Sequence, residues 1–263
     1  MRRLFVVVST LLIAAIACTT SPTGRRQLQL FPSSQMNEMG AAAFLQLQEE
    51  VPLANDPVVS RYVDCVANAI TTQLPGSRSW EVRVFKDDTA NAFALPGGKI
   101  GVHTGLLEIA TNQDQLATVI GHEIGHVLAD HSNERVSTSF ATNAGLQVIA
   151  ALTGGSGSAQ QQLAMGLLGV GAQYGILLPF GRVQESEADI IGLQLMAQAG
   201  FDPRASVTLW ENMDKAGGSQ PPEFLSTHPS HGTRIKRLQQ EMPAAMRLYQ
   251  QAQAAGRRPA CRQ

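Results

Sequence analysis

Apolar residues recur three and four positions apart through residues 33–50 and again through 56–74, which predicts two leading helices. The second opens with Asp56 ahead of Pro57, a cap followed by a first-turn proline. Residues 80–85 then alternate, 91–95 have the composition to extend, and 99–103 follow a Pro96-Gly97-Gly98 turn, so a small antiparallel sheet is expected. Helical periodicity resumes at Asn112 and runs through His131. Two uncharged, glycine-spotted runs follow, 139–152 and 163–180, separated by a Gly/Ser stretch. The second is barely long enough to span a bilayer and contains Gln173 and Tyr174, so packing or surface dipping is favoured over insertion. Three further helices are expected over 185–199, 203–216 and 233–255. The pattern describes an α+β domain, mostly helical, with one small sheet beside the helix that begins at Asn112.

Composition narrows the class. The 263 residues carry 20 Lys plus Arg against 21 Asp plus Glu, a formal net charge of −1, which argues against a nucleic-acid binder. With 44% hydrophobic residues the chain buries a substantial core. Its start is different in kind: Arg2 and Arg3 precede an uncharged run over 4–17, and Cys18 follows Ala15-Ile16-Ala17. This is the pattern of a signal peptide, too short for a permanent span, and the Cys after small residues resembles a bacterial lipobox. An ordinary secretory signal with a coincidental Cys is the alternative. The expected organisation is a signal peptide over 1–17, a tether over 18–32 lipidated at Cys18, and a catalytic domain over 33–263. Lipid on Cys18 implies the periplasmic face of the cell envelope, and Thr19 in place of Asp resembles outer-membrane sorting.

The chemistry centres on His122-Glu123-Ile124-Gly125-His126, an H-E-x-x-H sequence within a helical pattern. Four-residue spacing puts both imidazoles on one face, a turn apart, where one zinc ion can meet both at about 2.0–2.1 Å. Glu123 can then reach a water at the metal without being a ligand. A hydrolytic zinc needs a third protein ligand and an open position. The metzincin pattern fails, because Ala129 and Ser132 stand where Gly and His are required, and on a continuous helix His131 lies about 140° round from His126. Glu185 and Asp189, at E-x-x-x-D spacing, offer a zinc ligand and, one turn on, an acceptor that orients a ligand histidine.

These motifs, followed by Thr227-His228-Pro229 and Arg234, resemble the HtpX/Oma/BepA/LoiP-like zinc metallopeptidases, the gluzincin-type metallopeptidase family forty-eight. The segment Asn91-Ala92-Phe93-Ala94-Leu95-Pro96-Gly97-Gly98 also matches, so the resemblance covers about residues 35–238. It implies a zincin-like fold, one Zn2+ per chain held by His122, His126 and Glu185, Glu123 as general base and Asp189 behind a ligand. It further implies that His228 approaches the metal, steadying the oxyanion or blocking the open position, that Arg234 supports it, and that Asn91, Ala92, Phe93 and Ala94 form an edge strand receiving extended substrate. The spacing of His228 alone gives no geometry, and a satisfied loop histidine before a proline is the alternative. The function expected is a lipid-anchored endopeptidase degrading misfolded or misassembled envelope proteins, with outer-membrane assembly machinery as a further partner. A periplasmic chaperone with a silent or restrained protease site is the alternative.

Two readings concern residues outside this set. Cys65 and Cys261 are expected to pair in an oxidising compartment, the alternative being a buried free Cys65 and a frayed Cys261. His131 and His231 read as structural, His103 has no assignment, and Glu187 points away from its neighbours on a helix and reads as solvated.

Overall fold

The computed structural model describes residues 18–76, 78–152, 180–216, 224, 228 and 233–262. A hairpin of β1 (Cys18–Thr20) and β2 (Arg26–Leu28) leads into α1 (Ser33–Glu50) and α2 (Pro57–Thr71). Then come β3 (Glu81–Phe85), β4 (Ala92–Leu95), β5 (Lys99–His103) and the short α3 (Leu106–Ile109). Helices α4 (Gln113–Leu128), α5 (His131–Leu152), α6 (Arg182–Ala199), α7 (Ala205–Ala216) and α8 (Thr233–Ala254) complete the described chain. Asp56 is the cap that the sequence predicts for α2. Asp56 accepts from the backbone N–H groups of Val58 and Val59, and Asn112 from those of Asp114 and Gln115. Gly200 closes α6 in the left-handed conformation, φ 96°.

The sheet corrects the expected antiparallel arrangement. Its order is β3-β5-β4, with β4 antiparallel to β5 but β3 parallel to β5. The Pro-Gly-Gly turn makes the β4–β5 hairpin as predicted. The hairpin, however, inserts β5 rather than β4 next to β3, and two reversals of direction bring β5 back parallel to it. The consequence is that β4, the strand carrying Ala92–Leu95, lies at the edge with one side unpaired by the sheet.

Helix α4 is the axis of the domain. Almost every residue from Gln115 to Val127 is buried, because α2, α6, α7 and β4 all pack on it. The closest neighbour is α6, and small residues explain why. A Cβ on Gly121 would lie 2.9 Å from the Gly192 carbonyl oxygen, one on Gly125 2.9 Å from that of Ala188, and one on Gly192 2.6 Å from the His122 nitrogen. The two backbones touch, which no side chain larger than hydrogen at these positions permits.

Two expectations about element limits change. The helix predicted to run through His131 stops at Leu128, and α5 starts afresh at His131. Asp130 between them has φ 51°, a left-handed conformation that Asp tolerates better than most residues. The segment 18–32, expected as a tether, is docked instead: Gln27 donates to the Ala129 carbonyl (2.9 Å), Asn133 to that of Phe31 (2.7 Å), and the Leu30 N–H to Ser137 Oγ (2.8 Å). The run over 163–180 lies outside the described residues except for Phe180. Among the described residues no helix is long and apolar enough to cross a membrane.

A disulfide joins Cys65 on α2 to Cys261, with Cα atoms 5.7 Å apart and a sequence separation of 196. Gln113 at the start of α4 holds the same tail, donating to the Pro259 carbonyl and accepting from the Cys261 N–H. Chain-entropy models assign roughly 4–5 kcal/mol to loops of the hundred-residue scale. Reduction, or Cys261→Ser, is therefore expected to lower stability by about 2–5 kcal/mol in denaturant titrations, while mass spectrometry of the non-reduced protein shows a linked Cys65–Cys261 peptide pair. Gly192→Ala is expected to cost about 1–3 kcal/mol, because its methyl meets backbone that cannot rotate away. An unchanged melting temperature in that variant would contradict the contact.

Candidate metal centre

His122, Glu123 and His126 project from the buried middle of α4, and Glu185 and Asp189 from the first two turns of the touching helix α6. His228 approaches between them. One ligand atom from each of His122, His126, Glu185 and His228 falls within a 4.8 Å cluster, and all four residues are buried. The two Nε2 atoms of the H-E-x-x-H histidines stand 3.0 Å apart, and each is 3.4 Å from a Glu185 oxygen. His228 Nδ1 is 3.0 Å from Glu185 Oε1 and 3.3 Å from His122 Nε2.

The opposite edges of the rings are occupied. His122 Nδ1 faces Asp189 Oδ1 at 3.0 Å, and His126 Nδ1 faces His131 Nδ1 at 2.9 Å. With each outer nitrogen engaged, the inner nitrogens present lone pairs to a common point. Two imidazole nitrogens and a carboxylate converging in this way fit a metal ion of the borderline type that takes N and O ligands, and Arg234, 3.1 Å from both His122 Nε2 and Glu185 Oε2, brings positive charge to the edge of the cluster. Glu123 Oε1 is buried and accepts no hydrogen bond within the described structure, and Glu185 Oε2 has only the Arg234 guanidinium at 3.1 Å and His122 Nε2 at 3.4 Å beside it.

Asp189 is held from behind. Arg234 donates from Nε to Asp189 Oδ2 (2.6 Å) and from Nη2 to Oδ1 (2.8 Å), while its guanidinium lies 3.8 Å over the Trp210 ring. Burial opposes ionisation of Asp189, but the Arg234 charge and the His122 hydrogen bond outweigh it and hold the carboxyl below its ordinary range. Burial also opposes ionisation of Glu185, yet the three surrounding histidines hold it far below the usual range, so it is a carboxylate at any working pH. In the metal-free protein burial and the Arg234 charge oppose protonation of His122, and Asp189 and Glu185 overcome them, pushing it up to about 9. Burial drives His126 well below the usual histidine value, leaving it a neutral donor. Phe180 stacks on its ring with centroids 3.7 Å apart, and Phe224 stacks on His228 at 4.4 Å.

Glu123 occupies the place between this cluster and the sheet. Its Oε2 accepts from the Ala94 N–H at 3.0 Å, and Oε1 lies 3.4 Å from His228 Nε2. Burial pushes its carboxyl up, against the pull of His228 and His122. The Ala94 N–H belongs to the unpaired side of edge strand β4, so Asn91, Ala92, Phe93 and Ala94 run alongside the site. A cleft lined by Asn37, Arg78, Pro96, His126, Asp130 and Asn133 opens beside the β4–β5 turn.

Three residues of this centre were not legible in the sequence. His131, read as structural, is fully buried and touches His126. Glu187, read as solvated, is 4% exposed and lies 3.1 Å from His131 Nε2. Arg25, in the expected tether, reaches Glu187. For His131 the signal was lost at the helix break, since the turn at Asp130 brings the ring back toward His126. Of the remaining candidates, Thr227, Pro229 and His231 lie outside the described residues, and His103, at the end of β5, is 2.8 Å from Thr89 Oγ1.

Known proteins are similar to this chain across the region that holds these residues. The family model described as Peptidase family M48 matches residues 54–242, which hold β3, β4, β5, the whole of α4 and the cluster around it. The mitochondrial metalloendopeptidase OMA1 of Schizosaccharomyces pombe is 45% identical over 168 residues, covering 63% of this chain and 48% of that protein. The namesake from Arabidopsis thaliana is 41% identical over 199 residues, 74% of this chain and 38% of its own. The beta-barrel assembly-enhancing protease of Escherichia coli strain K12 is 33% identical over 211 residues, 76% and 42% respectively. The chain thus spans about half the length, or less, of these relatives. The family match runs through the H-E-x-x-H helix, the α6 carboxylates and the edge strand together, and on that ground the chain belongs to peptidase family M48.

Proposed function

We propose that the protein is a zinc-dependent endopeptidase whose ligands are His122, His126 and Glu185 and whose general base is Glu123. The observation that carries this reading is the position of Glu123: a buried carboxylate beside the ligand cluster, hydrogen-bonded to the N–H of an open-edged strand. Two relatives named metalloendopeptidase and one named protease support it. An extended peptide adding to β4 gains main-chain hydrogen bonds there and brings its backbone past Glu123. Zinc, when bound, supplies a Lewis acid that activates water near neutral pH and polarises a peptide carbonyl.

The residues divide the remaining work. Glu123, its proton affinity raised by burial, takes the proton of the attacking water and delivers it to the leaving amine nitrogen. His228, 3.4 Å from Glu123 on one side and 3.0 Å from Glu185 on the other, is placed to donate to the developing oxyanion and, in the resting arrangement, occupies the approach to the ligands. Asp189, fixed by Arg234, orients His122. This machinery favours hydrolysis over a purely chaperoning role, which has no need of a buried base beside a substrate edge.

The cellular setting extends the same reading. Cys18 is exposed at the first residue of β1, accessible to lipid attachment after removal of residues 1–17. A lipid there places the domain at the periplasmic face of the envelope, with the outer membrane as the site, and the Cys65–Cys261 disulfide suits an oxidising compartment. The substrates are unfolded or misassembled envelope proteins, and the name of the Escherichia coli relative points to β-barrel assembly as the setting.

Elemental analysis is expected to find one zinc per chain, lost from His126→Ala and Glu185→Ala protein and retained by Glu123→Gln. Casein cleavage by Glu123→Gln should fall by about 10²–10⁴-fold. Stoichiometric zinc in the ligand variants, or wild-type cleavage by Glu123→Gln, contradicts the assignment. For His228→Ala, kcat/KM on an unfolded protein should change by well over about 2-fold, downward where oxyanion stabilisation dominates and upward where blocking does. A value unchanged within that margin makes His228 a loop histidine.

A further inference from the structure

The two histidines of the H-E-x-x-H pair are supported differently. His122 has a carboxylate, Asp189, directly behind it. His126 has a second histidine: its Nδ1 faces His131 Nδ1 at 2.9 Å, and His131 Nε2 faces Glu187 Oε2 at 3.1 Å. Burial disfavours the charged form of both His126 and His131, and with both rings neutral the protons in this row have one consistent arrangement. Glu187, ion-paired with Arg25 at 2.9 Å, is a carboxylate and only accepts. His131 therefore carries its proton on Nε2 and offers Nδ1 as an acceptor. His126 then donates through Nδ1, which leaves Nε2 with the lone pair that points at the ligand cluster.

Glu187 is in turn held by the N-terminal hairpin. Thr23 donates from Oγ1 to Glu187 Oε1 at 2.6 Å, and Arg25 donates from Nε to Oε2 at 2.9 Å. The Arg25 guanidinium forks onto Glu134, which also accepts from Gln184 at 2.7 Å. The hairpin, α5 and α6 thus meet at one carboxylate, and that carboxylate ends the row that begins at His126. Apart from His126 itself, none of these groups belongs to the ligand set or the base.

We infer that His131 and Glu187 form a positioning relay that fixes the tautomer and ring orientation of His126 for metal binding, with Thr23 and Arg25 of the N-terminal hairpin clamping its far end. The inference rests on the metal-site reading above. It gives the docked hairpin a role at the metal centre, because residues 23 and 25, a few positions after the cysteine read as the lipid anchor, bear on His126 through three hydrogen bonds in series.

The experiment measures the zinc dissociation constant of the full chain by competition with a chromophoric chelator, beside the melting temperature of the metal-free protein. His131→Leu fills the site but neither accepts from His126 nor donates to Glu187, and is expected to weaken zinc binding about 10–100-fold. His131→Gln offers a carbonyl to His126 and an N–H to Glu187, and should recover most of that loss. Equal affinities for Leu and Gln, whatever their melting temperatures, overturn the relay. Arg25→Gln is expected to weaken binding by a smaller factor, and wild-type affinity there removes the hairpin from the inference. A measurement on the unmutated protein guards against misfolded variants: ¹⁵N imidazole spectra of the zinc-loaded chain should show His131 protonated on Nε2 and His126 on Nδ1, and the reverse tautomer at either ring refutes the proposal. Failure of the wild-type chain to bind zinc would instead refute the metal-site reading beneath it.

Discussion

Everything at this centre depends on how closely two helices approach. Gly121, Gly125 and Gly192 let the backbones of α4 and α6 meet with nothing between them, and Ala188 extends the contact. Side chains leaving a helix from such a seam have little distance to cover, which is why a carboxylate as short as Asp189 reaches His122 and Glu185 reaches both imidazoles of the α4 pair. Larger residues at these positions would push the helices toward the roughly 8–10 Å spacing of ordinary packing. The ligands would then remain in the chain and lose their common point.

A seam of that kind gives a rigid floor, and the chemistry needs a wall. The sheet supplies it through its strand order. Because β5 inserts between β3 and β4, the strand that follows the loop after β3 is left at the edge, next to α4, and its Ala94 N–H is satisfied by Glu123. Glu123 and the edge strand are therefore fixed relative to each other by a hydrogen bond 3.0 Å long. On the proposed reading, a peptide extended along β4 would meet a carboxylate already in place, the preorganisation that acid–base catalysis rewards.

Charge reinforces geometry. The site buries Glu123, Glu185 and Asp189; Arg234 pairs with the last two, the charge of Arg135 acts on Glu185 and Glu123, and buried carboxylates of this density are stable only with positive charge among them. Arg234 answers to Asp189 and approaches Glu185 Oε2 at 3.1 Å. Burial keeps His126 from taking a proton, so its inward nitrogen is open to a metal cation, whereas Asp189 and Glu185 raise the proton affinity of His122.

The sequence by itself determined whatever depends on neighbours along the chain. Caps at Asp56 and Asn112, the period of α4, the i, i+4 placement of His122 with His126 and of Glu185 with Asp189, and the Pro-Gly-Gly hairpin follow from local sterics and helical geometry, and the family resemblance supplied the order in which they combine. The tertiary structure decided what depends on contacts between distant segments. Whether β4 or β5 lay beside β3 was a choice among pairings of similar local merit. Glu187 looked solvated because its helix position says nothing about a histidine 56 positions earlier or an arginine 162 positions earlier. The polar composition of the first hairpin reads as a tether until Gln27, Thr23 and Arg25 find partners more than 100 positions away. Hydrogen bonds and ion pairs join groups by distance in space, and a chain that turns at a single residue such as Asp130 can place His131 where helical periodicity denies it.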